Sequence, residues 1–132
     1  MKKIEHIGIA VKDLDSANLL FSKLLGKENY KIEEVKSEGV RTSFFIVGES
    51  KIELLQASSY DSSIAKFISK KGEGIHHIAF YVDDLENEIE RLKGEGFNVI
   101  NDSLKEGADN KLVCFLHPKS TNGVLIEICQ EK

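Results

Sequence analysis

The hydrophobic positions of the chain change their period from two residues to about 3.6 and back again. Residues 6–11 alternate small or polar side chains with large aliphatic ones, which predicts a strand with one bulky face for a helix and one small face toward a cavity. Apolar residues then recur at helical spacing through residues 17–25, with Asp13 or Asp15 as the candidate N-cap and Gly26 as the expected end. The chain is therefore predicted to open with a strand and a helix.

Three more strands are predicted in the first half. The pattern indicates an extended segment at residues 30–36, a strand at 40–47 and a strand at 51–57, separated by turns that contain glycine. Glu53 is the one acid within the apolar stretch 52–55. The first half is thus predicted to have the order β-α-β-β-β.

Residues 59–74 connect this half to the next. Asp61 is the candidate cap of a short helix, Gly72 its expected end, and its inward residues are predicted to be Ile64, Phe67 and Ile68. Because the segment keeps an apolar stripe, we expect an ordered linker helix rather than a flexible connection.

The second half repeats the plan of the first. A strand at 75–82 leads into a helix that Asp83 or Asp84 is expected to cap, with Leu85, Ile89 and Leu92 facing inward. The remaining elements are predicted as a strand at 97–100, a polar loop at 101–110, a strand at 111–117, a loop at 117–123 and a strand at 124–130. In the last strand, Glu127 shares one face with Leu125 and Cys129.

The repeat is visible in the residues themselves. Ile75–Leu85 and Ile4–Leu14 both read His-Ile, three residues, Val, one residue and Asp-Leu, so that His77 aligns with His6 at an offset of 71 residues. Residues 52–54 and 126–128 also match, since both carry a glutamate between aliphatic residues. Each half therefore contributes one histidine on its first strand and one glutamate on its last.

These halves, about 1–58 and 75–132, predict a single α+β domain over residues 1–132. Two paired β-α-β-β-β modules are expected to form one curved sheet with helices on its convex face. The internal twofold would then bring four side chains together around a metal site: His6, Glu53, His77 and Glu127.

Two imidazoles and two carboxylates suit one divalent ion, with Ni²⁺, Co²⁺ or Mn²⁺ favoured and Zn²⁺ or Fe²⁺ also compatible. Four protein ligands leave room for a substrate oxygen, which the ion would polarise as a Lewis acid. Each residue alone is more often an ordinary core or surface residue, and His76 is a rival to His77. The repeat favours His77, and neighbouring strand residues point to opposite faces.

The composition excludes some classes of protein but does not indicate a function. At 41% hydrophobic and 30% charged residues, the chain is typical of a globular protein, and it has no apolar run of membrane-spanning length. Because a strand is predicted almost from the first residue, no signal peptide is expected, and a net charge of −4 argues against generic nucleic-acid binding. Cys114 and Cys129 are expected to be buried thiols, which favours a cytoplasmic location.

The chain resembles the vicinal-oxygen-chelate (glyoxalase/bleomycin-resistance) superfamily, most closely its methylmalonyl-CoA epimerases, with glyoxalase I as a near relative. The resemblance covers nearly the whole chain. It rests on residues 5–11, 61–67, 72–80, 115–120 and 123–127.

The resemblance implies a metal-dependent isomerase that moves a proton α to a carbonyl through an enediolate. The expected metal ligands are the same four side chains, and Glu127 and Glu53 are the expected proton-transfer groups. The substrate is expected to be methylmalonyl-CoA; the alternative is the hemithioacetal of methylglyoxal and a thiol, as in glyoxalase I (lactoylglutathione lyase). Two further alternatives are a non-catalytic binding protein and a ring-opening dioxygenase. Retention of all four ligands argues against the binding protein, and Glu53 argues against the dioxygenase.

The resemblance also implies a homodimer, and it leaves the substrate contacts open. His117, Lys119 and Ser120 are candidates; His117 could equally be exposed without a role, and a lysine such as Lys119 is more often a solvated surface residue. Two positions depart from the epimerase pattern. Residues 107–110 replace a glycine-rich stretch, and Thr42 stands where some epimerases place a catalytic glutamate.

Overall fold

The computed structural model describes residues 1–100 and 105–132 of the chain. Its strands are β1 (Lys3–Ala10), β2 (Lys31–Val35), β3 (Val40–Val47), β4 (Ser50–Ala57), β5 (Gly74–Tyr81), β6 (Lys105–Gly107), β7 (Lys111–Leu116) and β8 (Ile126–Glu131). Its α-helices are α1 (Leu14–Leu25), α2 (Ser63–Lys71) and α3 (Leu85–Gly94). Short 3₁₀ turns lie at Lys36–Glu38 and Pro118–Ser120. The predicted α+β class and the order β-α-β-β-β in each half are confirmed.

The chain divides into two compact units. The first unit contains His6–His76, and the second contains Met1–Glu5 together with His77–Lys132. In the first unit the strand order is β2-β3-β4-β1, in which β4 and β1 run parallel and the other pairs are antiparallel.

The second unit has the same pattern of pairing. Its strand order is β5-β8-β7-β6, with β5 and β8 parallel and the remaining pairs antiparallel. Lys2 at the N-terminus belongs to this unit and donates its backbone N–H to the carbonyl of Tyr81 at 2.8 Å. Each unit therefore has one parallel pair of strands, and that pair carries the repeated histidine and glutamate.

One helix covers one face of the four strands in each unit. In the first unit, Leu14 and Ala17 of α1 pack with Phe45 and Leu54 in one buried cluster. In the second unit, α3 packs against β7 and β8 through a cluster that includes Val82, Leu85, Ile89, Leu92, Cys114, Leu116 and Ile128. Burying a side chain of this size contributes about 1.5–3 kcal/mol. Because Leu54 follows Glu53 and Ile128 follows Glu127, the glutamates point to the opposite face.

A glutamine fixes each helix to its sheet. The backbone N–H of Leu14 donates to Gln56 Oε1 at 2.7 Å, and that of Leu85 donates to Gln130 Oε1 at 2.6 Å. Both N–H groups lie in the first turn of a helix, where no helical carbonyl is available to accept them. Each glutamine comes three residues after the repeated glutamate, so the strand that carries the glutamate also positions the helix.

The linker helix α2 lies on the other side of the first unit. Its Ile64 packs with Ala10, Val40 and Leu55, which share a face with the histidine and the glutamate. The predicted cap was wrong. Ser62 caps α2 by accepting the N–H of Ala65 at 3.1 Å, whereas the carboxylate of Asp61 accepts the hydroxyl of Ser59.

The predicted strand at 97–100 was also wrong. This segment makes an isolated bridge, Val99 to Leu116, while Phe97 and Val99 pack against the α3 core. The second strand of this module is β6, which lies inside the predicted polar loop and pairs with β7. Asp109 and Asn110, both at φ 58°, close this hairpin because their short side chains tolerate the left-handed region. Residues 101–104 of the predicted loop lie outside the described residues.

Smaller differences concern the ends of elements and the faces of helices. Gly94 is the last residue of α3, which Asp84 caps by accepting the N–H of Asn87 at 3.1 Å. Leu20 and Leu24 belong to the apolar repeat of α1, yet they face solvent. Within the described residues, no helix combines the length and apolar character that crossing a membrane requires.

Candidate metal centre

In the first unit, His6 and Glu53 form a buried pair. His6 lies on β1 and Glu53 on β4, and the parallel ladder places Glu53 opposite Gly8, two residues after the histidine. The Nε2 atom of His6 is 3.2 Å from the Oε1 atom of Glu53. The two residues are only 6% and 4% exposed, so the pair lies in a region with little water.

The second unit contains the same arrangement. His77 lies on β5 and Glu127 on β8, and Glu127 is opposite Ala79, again two residues after the histidine. The Nε2 atom of His77 is 3.4 Å from the Oε1 atom of Glu127, and both residues are buried. The repeat in the sequence is therefore a repeat in geometry, because each module brings its own histidine and glutamate together.

The small residues opposite the glutamates leave room for this contact. Gly8 and Ala79 are both buried and share a face with the histidine of their strand. A large side chain at either position would occupy the space through which the imidazole and the carboxylate approach each other. The predicted alternation of residues 6–11 is present in β1, where Gly8 and Ala10 are buried on the same face as His6.

A phenylalanine borders each pair, and the sequence reasoning missed both. Phe44 is opposite Glu53 in the β3–β4 ladder, and Phe115 is opposite Glu127 in the β7–β8 ladder. The rings of Phe115 and His77 meet edge to face, with centroids 6.3 Å apart. The signal was available, since Phe44 and Phe115 are separated by the same 71 residues as the histidines.

The spacing of each pair fits two neighbouring ligands on one ion. Ligand atoms at about 2.1 Å from a metal and at right angles are about 3.0 Å apart. The observed separations of 3.2 and 3.4 Å are close to that value. Each unit can therefore supply one imidazole nitrogen and one carboxylate oxygen to a divalent metal.

His76, the rival histidine, has a different environment. Its ring meets Phe67 of α2 edge to face, with centroids 5.0 Å apart. His76 directly precedes His77, the histidine whose side chain contacts Glu127. Because neighbouring strand residues point to opposite faces, His76 points to the other face of β5. In the structure, His77 is thus the histidine beside the repeated glutamate.

Thr42 lies two residues from Phe44 on the same face of β3. It is 1% exposed, and its hydroxyl donates to the backbone carbonyl of Glu33 at 3.2 Å. Thr42 therefore does not replace the glutamate that some epimerases place at this position. A proton-transfer group must come from another position.

Cys114 is buried on the helix side of β7, opposite Ile128. Burial raises the pKa of its thiol to about 11, and the negative charge of Glu127 adds to this effect. The thiol is therefore neutral at physiological pH, and it belongs to the core rather than to a reactive site.

The candidate substrate contacts lie in and beside the 3₁₀ turn after β7. His117 Nδ1 accepts the backbone N–H of Lys119 at 3.1 Å, and Ser120 Oγ accepts the N–H of Asn98 at 3.1 Å. Lys119 itself is exposed. These bonds shape the turn, and a role for the three residues in substrate binding stays a prediction.

Known proteins resemble the chain over nearly its whole length. It is 36% identical over 132 residues to the uncharacterized protein YqjC of Bacillus subtilis, and the alignment covers 100% of this chain and 94% of that protein. It is 36% identical over 129 residues to the mitochondrial methylmalonyl-CoA epimerase of Homo sapiens, with 97% of this chain and 73% of that protein covered.

Solved structures agree in fold. A methylmalonyl-CoA epimerase in complex with methylmalonyl-CoA and NH4⁺ superposes with a TM-score of 0.95 at 33% identity, covering 99% of this chain and 95% of that one. Residues 5–115 match the model of the glyoxalase/bleomycin resistance protein/dioxygenase superfamily. The chain, with its duplicated histidine–glutamate modules, belongs to that superfamily.

Proposed function

We propose that the protein is a divalent-metal-dependent methylmalonyl-CoA epimerase. The observation that carries the proposal is the buried histidine–glutamate pair, which both units build at the same register. Relatives named methylmalonyl-CoA epimerase, similar to this chain over nearly all of its length, support the choice of substrate.

His6, Glu53, His77 and Glu127 would hold one ion, with Ni²⁺, Co²⁺ or Mn²⁺ favoured and Zn²⁺ or Fe²⁺ compatible with the donor atoms. Their burial and the spacing within each pair support this assignment. When bound, the ion would act as a Lewis acid that makes the proton α to the thioester carbonyl easier to remove. The phenylalanines beside the glutamates would keep water away from the reacting carbon.

Epimerisation needs two proton-transfer groups, because the proton leaves one side of the α carbon and returns to the other. We assign these roles to Glu127 and Glu53. A carboxylate Oε atom of one would take the proton, and a protonated Oε atom of the other would return one. The buried hydroxyl of Thr42 already donates to a carbonyl, so we assign it no proton transfer.

The proposal also covers the substrate contacts, the oligomeric state and the location of the protein. His117, Lys119 and Ser120 are proposed to contact the substrate, since they lie in or next to the turn after β7, the strand that borders Glu127. We further propose that residues 1–132 act as one domain, that the protein is a homodimer and that it works in the cytoplasm, with no nucleic-acid or membrane partner.

Stereochemistry tests the proposed function directly. A single epimer of methylmalonyl-CoA would be incubated with enzyme loaded with Co²⁺, and the ratio of epimers would be followed until it is constant. We expect an equal mixture from the loaded enzyme and no change with enzyme stripped by a chelator. In parallel, the methylglyoxal–glutathione hemithioacetal would be tested. Formation of lactoylglutathione without epimerisation would replace the proposal with glyoxalase I, which the relatives do not otherwise favour.

A further inference from the structure

Lys31 lies on the same face of the sheet as the buried pair of the first unit. In the β2–β3 ladder Lys31 is opposite Phe44, and in the β3–β4 ladder Phe44 is opposite Glu53. Residues directly opposite each other in neighbouring strands share a face. Lys31, Phe44 and Glu53 therefore form a row across three strands, which leads from a positive charge on β2 to the carboxylate beside His6.

Two contacts position the ammonium group of Lys31 at the end of this row. Its Nζ atom is 5.7 Å from the centroid of the Phe44 ring, a distance at which the face of the ring attracts a cation. The same atom is 3.2 Å from Oε1 of Glu33, the next residue of β2 on this face. The side chain of Lys31 is 36% exposed, so its charge is held by neighbours but remains accessible to a ligand.

The ion pair between Lys31 and Glu33 is not needed to hold the strand in place. Both side chains are partly exposed, and ion pairs of this kind add little to the stability of a protein. The ladder of β2 with β3 already fixes the backbone of both residues. Replacing Lys31 should therefore leave the fold intact while it removes a positive charge from the face that carries the site.

The distance between Lys31 and the site selects the part of a substrate that this residue meets. Neighbouring strands are about 4.8 Å apart, so β2 lies about 10 Å from β4. A lysine side chain extends over much of that distance, and its ammonium group reaches an anion bound next to Glu53. In methylmalonyl-CoA the free carboxylate is attached to the carbon that loses the proton, whereas the phosphates lie beyond the long pantetheine arm. The carboxylate is therefore the anionic group that fits this position.

We propose that Lys31 is a specificity-determining residue that binds the free carboxylate of a 2-carboxyacyl thioester. An ammonium group has three N–H donors, so Lys31 keeps its contact with Glu33 and donates to the ligand as well. The buried ring of Phe44 lowers the local dielectric constant and strengthens this contact. The inference rests on the proposed function, since that function places the reacting carbon beside Glu53.

Two thioesters that differ by one carboxylate test the proposal. Malonyl-CoA and acetyl-CoA would be titrated by calorimetry into the wild type and into Lys31→Met, both with Co²⁺ and after treatment with a chelator. We expect the preference for malonyl-CoA to fall about 10-fold or more in Lys31→Met, the loss typical of a hydrogen bond between charged groups. Acetyl-CoA should bind equally to both proteins. Any attraction between Co²⁺ and the carboxylate cancels, because the two proteins carry the same metal ligands.

Two variants serve as controls for this titration. Lys23→Met removes a lysine from an exposed position of α1 and should keep the preference of the wild type. Lys31→Arg retains the positive charge and should keep most of the preference. Circular dichroism would show whether each variant is folded.

Turnover provides a second readout. Lys31→Met should raise KM for methylmalonyl-CoA about 10-fold and change kcat less, since Lys31 transfers no proton. An unchanged preference for malonyl-CoA in Lys31→Met, or an equal loss of affinity for both thioesters, would overturn the proposal; the second result would place Lys31 on the CoA part of the ligand. Failure of the proposed function is distinct from this, because the wild type would then not epimerise methylmalonyl-CoA although Lys31 still determined the preference for malonyl-CoA.

Discussion

Phe115 lies directly across the β7–β8 ladder from Glu127. Phe44 has the same relation to Glu53 in the β3–β4 ladder, so each repeated glutamate has a small residue on one side and a phenylalanine on the other. Glu53 and Glu127 are both buried, and a buried carboxylate is costly unless a partner balances its charge. The histidine, together with the metal that we propose, provides that partner.

Removing either repeated histidine should abolish tight metal binding. We expect His6→Ala and His77→Ala each to weaken Co²⁺ binding by about 100-fold or more, because each removes one of the four ligands that we propose. Isothermal titration calorimetry measures this affinity. His76→Ala is the matched control, since His76 packs against Phe67, and it should bind Co²⁺ as the wild type does. Weak binding by His76→Ala with normal binding by His77→Ala would reverse the assignment.

The two glutamates should each be needed for turnover. Glu53→Gln and Glu127→Gln are expected to lower the rate of epimerisation by about 10²–10⁴-fold, the range that general acid–base groups supply. Thr42→Val is the control on the neighbouring strand, and it should retain activity while losing about 1 kcal/mol of stability with its hydrogen bond to Glu33. Full activity in either glutamine variant would remove that residue from the mechanism.

The glutamine caps should stabilise both modules. Gln56→Met and Gln130→Met keep the size of the side chain but leave the N–H of Leu14 or Leu85 without its acceptor. Each change should cost about 1–3 kcal/mol of unfolding free energy, measured by urea denaturation. If neither variant loses stability, the caps do not fix the helices to the sheets.

Alkaline pH should destabilise the protein partly through Cys114. Its pKa is raised from 9.0 to about 11 in the folded protein, so folding favours the neutral thiol. This contribution is complete below pH 9 and is lost as the pH rises from 9 through 11. Urea unfolding at pH 8 and pH 10.5 should show a smaller difference in Cys114→Ala than in the wild type. If the loss of stability between pH 8 and pH 10.5 is the same in Cys114→Ala and the wild type, ionisation of the Cys114 thiol does not cause it.

The sequence predicted the modules and their repeated residues because both leave local signals. Alternating side chains mark β1, helical spacing marks α1 and α3, and the offset of 71 residues aligns His6 with His77. Those features depend on residues close in the chain or on exact repetition.

Features decided by distant contacts were not predicted. Residues 97–100 have the apolar character of a strand, but Phe97 and Val99 pack against the α3 core, and the segment meets β7 through an isolated bridge at Leu116, whereas β6 forms a ladder with β7. Leu20 and Leu24 fit the helical period of a core stripe, and only the packing of α1 shows that they remain exposed. The position of Phe44 opposite the buried Glu53 is likewise set by the register of β3 and β4, which the local pattern of side chains does not specify.

The most direct test of a metal-dependent epimerase is exchange of the α proton of methylmalonyl-CoA, followed by proton NMR in D₂O in a single sample. The signal should disappear with enzyme loaded with Co²⁺, the exchange should stop when a chelator removes the ion, and it should resume when Co²⁺ is restored. Exchange that continues at the same rate after the metal has been removed would contradict the account.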